Sequence, residues 1–137
     1  MTRAITRPRI LLAEDDDDTR SGLADLLGAA GFDVEPVASG SEMLESLSAQ
    51  DLGGPGSPDV IITDVIMPGF SGIHVIEELR AEGWRQPIVV ISGYDPSTVE
   101  SRIAPLQGVC FLAKPLDPPQ VVALVESLTR GTETPRN

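Results

Sequence analysis

The sequence predicts an α/β protein, a doubly wound parallel sheet of five strands in the order 2-1-3-4-5 with helices on both faces. Three observations predict it. Four short aliphatic runs are apolar on both faces, as strands covered on both sides are. A helix-period pattern follows each run, and a fifth run–helix pair completes the series, so parallel strands joined by right-handed crossovers are expected. The remaining strand candidate contains a proline, which belongs at a sheet edge.

The first strand is Arg9–Ala13 (RILLA). In Thr19–Ala30, Leu23, Leu26, Leu27 and Ala30 form one apolar stripe, and Gly31 supplies the stop. Val34–Ala38 (VEPVA) carries Pro36 and is the edge strand. Ser41–Ala49 carries Met43, Leu44 and Leu47, and Ser39 with Glu42 has capping-box spacing. The stretch DLGGPGSP (51–58) reads as a flexible loop at the end of the sheet opposite the expected site. Val60–Thr63 (VIIT) is the third strand, and Ser71–Ala81 the third helix, with Ile73, Ile76 and Leu79 before Gly83. Pro87–Ile91 (PIVVI) is followed by a weaker helix, Pro96–Leu106. Val109–Ala113 (VCFLA) and the helix Pro119–Thr129, which has proline at its start, close the series.

At 137 residues the chain suits one domain, predicted over 9–130 with short tails at 1–8 and 131–137. Net charge is −11. That excludes general nucleic-acid binding, which needs a basic patch, and suits cations and basic protein partners. Cys110 is the only cysteine, so no internal disulfide forms, and its apolar neighbours predict a buried, inert thiol. No run approaches the ~20 apolar residues of a membrane span, and no signal peptide opens the chain. A cytoplasmic protein without a membrane partner is expected.

In such a sheet, ligands bind outside the carboxyl ends of the strands, where the strand order reverses. Strand 1 ends in Glu14-Asp15-Asp16, strand 3 in Asp64, strand 4 in Ser92 and strand 5 in Lys114. Carboxylates on neighbouring strand ends repel unless something neutralises them. Lys114 supplies one positive charge. A hard divalent cation with oxygen ligands supplies the rest, and an open site of this kind suits Mg²⁺. A cation and a lysine can share a phosphoryl group, with the Ser92 hydroxyl adding a hydrogen bond. Asp64 follows a rigid apolar strand and is best placed to attack phosphorus.

The residues Glu14-Asp15-Asp16 with Arg20, then Asp64-Val-Ile-Met67-Pro68-Gly-Phe-Ser-Gly72, then Ile91-Ser92-Gly93, then Lys114-Pro115 resemble those of a response-regulator receiver domain of two-component signalling. The resemblance runs from about residue 9 to 129 and implies the flavodoxin-like fold. It implies that Asp64 is the phosphoacceptor and that Ser92 and Lys114 contact the phosphoryl oxygens. The metal ligands it implies are Asp15, Asp64 and the backbone carbonyl of Ile66, with Glu14 holding metal-bound water. Mg²⁺ is the implied cation, and Mn²⁺ could substitute. The Lys114–Pro115 bond is expected to be cis. Ser92 and Phe111 match the switch positions, which reshape the face of the fourth helix, fifth strand and fifth helix on phosphorylation. The implied phosphate donor is a histidine kinase or histidine phosphotransfer protein. A chain without room for an output domain is expected to signal by protein contact, as a stand-alone receiver.

Other residues take plainer roles. Asp17 and Asp18 fall at a helix start, where negative charge suits the dipole. His74 reads as a surface residue. The resemblance implies that Ile66 and Tyr94, two residues after Asp64 and Ser92, flank the path of hydrolytic water, and they are expected to tune the lifetime of the phosphoryl group, towards a long one. Two other readings compete with this one. Asp15-x-Asp17-x-Thr19 also matches the first motif of haloacid-dehalogenase-like phosphatases, with Asp15 as nucleophile, but only Asp117 follows Lys114 where that family needs an acidic pair. A degenerate receiver serving as a binding module is the other, and the complete acidic, serine and lysine set argues against it.

Overall fold

Each aliphatic run forms the strand it predicts, and each stripe of leucine, isoleucine and valine forms a helix. The structure is a computed structural model that describes residues 7–48, 57–67, 70–93 and 96–133. In chain order the elements are β1 (Arg9–Ala13), α1 (Asp17–Ala29), β2 (Asp33–Val37), α2 (Gly40–Ser48) and β3 (Val60–Asp64). Then come β4 (Ile66–Met67), β5 (Phe70–Ser71), α3 (Gly72–Ala81), β6 (Ile88–Ser92), α4 (Pro96–Ile103), β7 (Val109–Ala113) and α5 (Pro118–Glu133).

The main sheet is parallel throughout, in the order β2-β1-β3-β6-β7. Counting its five strands in chain order, this is 2-1-3-4-5. Pro36 lies on β2, which pairs with β1 alone, so its missing N–H interrupts no second ladder. Alternate residues divide the core into two layers. Leu11, Ile61, Ile88 and Val90 pack with Met43 and Leu47 of α2, Ile73 and Ile76 of α3, and Val99 and Ile103 of α4. Ile10, Leu12, Ile62, Val89 and Ile91 pack with Leu23 and Leu27 of α1 and Val121 and Val125 of α5. Because both faces are covered, the strands read as continuous apolar runs. Register does the rest. Ala13 pairs with Thr63, Asp64 with Ile91 and Ser92 with Ala113, so the polar residues that end the strands share one sheet edge.

Several boundaries differ from the expected ones, each for a local reason. Helix α1 begins two residues early because Asp16 caps it, accepting from the Thr19 amide at 2.8 Å and the Thr19 hydroxyl at 2.7 Å. Those hydrogen bonds hold the Asp16 carboxyl below the ordinary carboxylate range. Asp16→Ala is expected to lower the urea midpoint while Asp16→Asn, which also caps, largely preserves it. The capping box at α2 is offset: Glu42 N donates to Ser39 Oγ at 3.1 Å, while the Glu42 carboxylate accepts from Ala38 N at 3.0 Å. Helix α4 stops at Ile103, and a turn closed by Leu106 N on Ile103 O follows, around Pro105, which has no N–H to donate. The antiparallel pair β4–β5 was not expected, since two residues carry no periodicity. Cys110 is half-buried rather than buried, because β7 is the other edge strand.

Of the predicted 51–58 loop only Ser57 and Pro58 fall among the described residues, and residues 1–6 and 134–137 of the tails lie outside them. Among the described residues, no helix is long and apolar enough to cross a membrane.

Candidate functional site

The site lies where β1 and β3 meet at their carboxyl ends, the point where chain order reverses in the sheet. Glu14 follows β1 directly. Its amide donates to Val37 O on one side at 3.1 Å, and its side chain is fully buried. Asp64 is the last residue of β3 and is 6% exposed. The Thr63 hydroxyl donates to the Asp64 carbonyl at 2.9 Å, and Val65 N donates to Ile91 O at 3.2 Å, so backbone on both sides of Asp64 is held.

Lys114 is a cation at the centre. Its Nζ lies 2.9 Å from Asp64 Oδ2 and 2.8 Å from Glu14 Oε1. The contact with Asp64 is a hydrogen bond. The contact with Glu14 is off the line of one, so Glu14 Oε1 is a buried oxygen held by charge alone. Glu14 Oε2 accepts from Asp16 N at 3.0 Å. Burial raises the Glu14 carboxyl above the ordinary value, against the pull of Lys114, and the charge on Asp64 adds to the rise. Burial alone would lower the Lys114 ammonium, but its hydrogen bond to Asp64 and the negative charges of Asp64 and Glu14 outweigh it and raise it. Lys114 is aimed by its backbone, since its amide donates to Ser92 O at 2.8 Å; the Lys114–Pro115 bond is cis. Ser92, fully buried, therefore sits beside Lys114 at the end of β6.

Carboxylate oxygens of Glu14, Asp15 and Asp64 all lie within 4.8 Å of one another. Three carboxylates against one ammonium leave two negative charges when all are ionised. That surplus, the oxygen-only donor set and the underserved Glu14 Oε1 fit a hard divalent cation. Thus the strand-end residues picked from sequence, Glu14, Asp15, Asp64, Ser92 and Lys114, meet in space. Phe111 lies one strand further out on β7, half-buried against the α2–α4 layer of the core. Tyr94 and the side chain of Ile66 lie outside the described residues. His74 is exposed on α3, 3.7 Å from Glu78.

Sequence reasoning passed over two residues. The motif containing Arg20 assigns it no role, yet its guanidinium donates to Glu14 O at 2.9 Å and pairs with Asp17. The signal was its place one turn into α1. Arg80, 8% exposed, donates to the carbonyls of Trp84, Gln86 and Gln107 at the far end of the sheet. Nothing in its neighbourhood in sequence marks it.

A doubly wound parallel sheet with buried carboxylates bridged by lysine at the switch point defines a class of α/β proteins that bind ligands at the carboxyl ends of their strands. The chain belongs to the response regulator receiver domain family, whose sequence pattern matches residues 10–126. It is 33% identical over 132 residues to the transcriptional regulatory protein PrrA of Mycobacterium tuberculosis, covering 95% of this chain and 53% of that protein. It is 35% identical over 124 residues to the transcriptional regulatory protein FixJ of Azorhizobium caulinodans, covering 90% of this chain and 56% of that protein. The chain thus spans about half the length of these curated relatives. Among solved structures, a response regulator receiver protein from Sinorhizobium medicae superposes with a TM-score of 0.77 at 27% identity, covering 91% of this chain and 96% of that one. The Francisella response regulator 1452 receiver domain superposes with a TM-score of 0.80 at 24% identity, covering 92% and 99%, and supports the fold.

Proposed function

We propose that this receiver domain, spanning 9–130, takes a phosphoryl group onto Asp64 from a histidine kinase or a histidine phosphotransfer protein and signals by protein contact. The observation that carries the reading is the Lys114 ammonium held between Asp64 and Glu14. An Asp64 oxygen attacks the phosphorus of a phosphohistidine. The P–N bond breaks, its electron pair stays on the imidazole, which takes up a proton, and an acyl phosphate forms. Lys114 and Ser92 receive the phosphoryl oxygens, and Lys114 exchanges part of its contact with Asp64 for them. Asp15, Asp64 and the Ile66 carbonyl would hold Mg²⁺, or Mn²⁺ in its place, with Glu14 beside metal-bound water, and such a cation would offset phosphoryl charge. The domain is a phosphoacceptor that assists its own phosphorylation, not a turnover enzyme. Ser92 and Phe111 carry the change to the face of α4, β7 and α5, where a target protein docks. A cytoplasmic setting suits these partners.

The phosphatase reading loses support from α1. Asp17, the second aspartate of that motif, lies in the helix with its side chain 86% exposed and paired to Arg20. The discriminating experiment is incubation with a small acyl phosphate or phosphoramidate and Mg²⁺, read by intact mass. Asp64→Asn is expected to abolish the phosphoryl adduct. If Asp15→Asn abolishes it while Asp64→Asn retains it, the phosphatase assignment replaces this one. An unlabelled wild-type chain with every donor points to a binding module. Profiling against histidine kinases, with Asp64→Asn as control, then identifies the donor. The aliphatic Ile66 and bulky Tyr94 predict a phosphoryl group that survives for minutes or longer. Loss within seconds without a phosphatase contradicts this.

A further inference from the structure

We infer that Arg20 is a positioning residue for the divalent-cation site: it fixes the turn that carries Glu14 and Asp15. The inference rests on the cation site proposed above. The turn between β1 and α1 must hold two adjacent acidic residues, one fully buried and one exposed. Its inner part is well fixed, since Glu14 N is bonded to Val37 O and Glu14 Oε2 to Asp16 N. Its outer part rests on Arg20. One guanidinium nitrogen, Nη1, donates to the Glu14 carbonyl at 2.9 Å and reaches the Asp15 carbonyl at 3.5 Å. The other, Nη2, is tethered by the Asp17 carboxylate. Arg20 N is itself tied to Asp16 O at 2.9 Å, so the side chain springs from the first turn of the helix that Asp16 caps. A planar fork thus spans strand end, turn and helix start, a geometry that lysine, a point donor, does not reproduce.

Charge and geometry make opposite demands on this residue, which makes the role testable. A cation beside a cation site repels the ion, so loss of Arg20 charge should tighten divalent binding if charge were its only effect. If Arg20 positions the turn, its loss should weaken binding, because ordering the carboxylates then falls to the ion. Supporting residues of metal sites typically matter at about tenfold or more in affinity. The test is calorimetric titration of Mg²⁺, with Mn²⁺ as a second probe, alongside thermal melts without metal. Arg20→Met is expected to weaken Mg²⁺ binding about tenfold, well beyond any change in the metal-free melting temperature. Arg20→Lys, which keeps the charge, is expected to fall between wild type and Arg20→Met. Affinity unchanged or tighter in Arg20→Met overturns the inference. Should that variant not fold, wild-type affinity in Arg20→Lys overturns it equally. A wild-type chain that binds neither ion overturns the cation site itself and, with it, this role.

Discussion

Replacing Lys114 with methionine is expected to slow phosphorylation of Asp64 about a hundredfold or more, and to destabilise the fold at neutral pH by about 3 kcal/mol. The kinetic loss follows from its place: the ammonium contacts Asp64 directly, at 2.9 Å. It is held there before any phosphate arrives, by Ser92 through the backbone and by Glu14 through charge. The loss of stability follows from what it leaves behind. Glu14 is fully buried and Asp64 nearly so, and without the ammonium these two carboxylates lose the positive charge they share.

The pH dependence has a definite sign. Glu14 is raised in the fold, first by burial, from an ordinary value of 4.5. A raised carboxyl favours the folded state below its ordinary value, and that advantage is lost as pH rises through the folded value. Without Lys114 the rise is larger, so the variant recovers most as pH falls towards 4.5. Lys114 is raised from 10.5, so its contribution to wild type is complete below that pH and fades above it. The gap between wild type and Lys114→Met should therefore be widest at neutral and mildly alkaline pH and shrink at both extremes. Urea titrations across that range check it, and a gap independent of pH contradicts it. Added Mg²⁺ should stabilise Lys114→Met more than wild type, since it supplies the missing charge.

The second large effect lies at the opposite end of the sheet. Arg80 leaves the last turn of α3 and turns inward. Its Nε donates to Gln107 O at 2.8 Å, Nη1 to Trp84 O at 2.8 Å, and Nη2 to Gln86 O at 2.9 Å. Its guanidinium also lies 5.8 Å from the centroid of the Trp84 ring. The three carbonyls belong to the loops that lead into β6 and β7, so one side chain fastens both. Burial, with Arg85 adding to it, lowers the Arg80 guanidinium, and no carboxylate pairs with it among the described residues. Arg80→Met is expected to cost about 3 kcal/mol, because it strips donors from partly buried carbonyls. Arg80→Lys should recover less than half of that, for want of the fork. Hydrogen exchange should quicken at Ile88, whose amide donates to Gly108 O, while labelling of Asp64 at low temperature stays near wild type. A loss of labelling equal to the loss of stability would show that the two ends of the sheet are not independent.

How much of this could be read beforehand differs between elements. RILLA, VIIT, PIVVI and VCFLA announce buried parallel strands because each is apolar on both faces, and the core confirms two layers of side chains. Pro36 announces an edge because it lacks a donor. The hairpin β4–β5 and the early start of α1 were illegible for opposite reasons: the first is too short for periodicity, and the second depends on which of five adjacent acids turns back to cap. Cys110 looked buried because its neighbours are apolar, but burial also depends on whether a further strand follows.

By itself, then, the sequence determined the alternation of strands and helices, the parallel sheet, the reversal point, and which polar residues end the strands. These follow from local patterns, since apolar periodicity states which faces must be covered. Tertiary structure alone decided how those residues engage. Lys114 and Asp64 are fifty positions apart and meet at 2.9 Å. Arg20 on the Glu14 carbonyl and Arg80 on three loop carbonyls are contacts between a side chain and a backbone that carries no residue-specific mark. A long basic side chain has many reachable acceptors, and only the packed fold, by burying some and presenting others, selects among them.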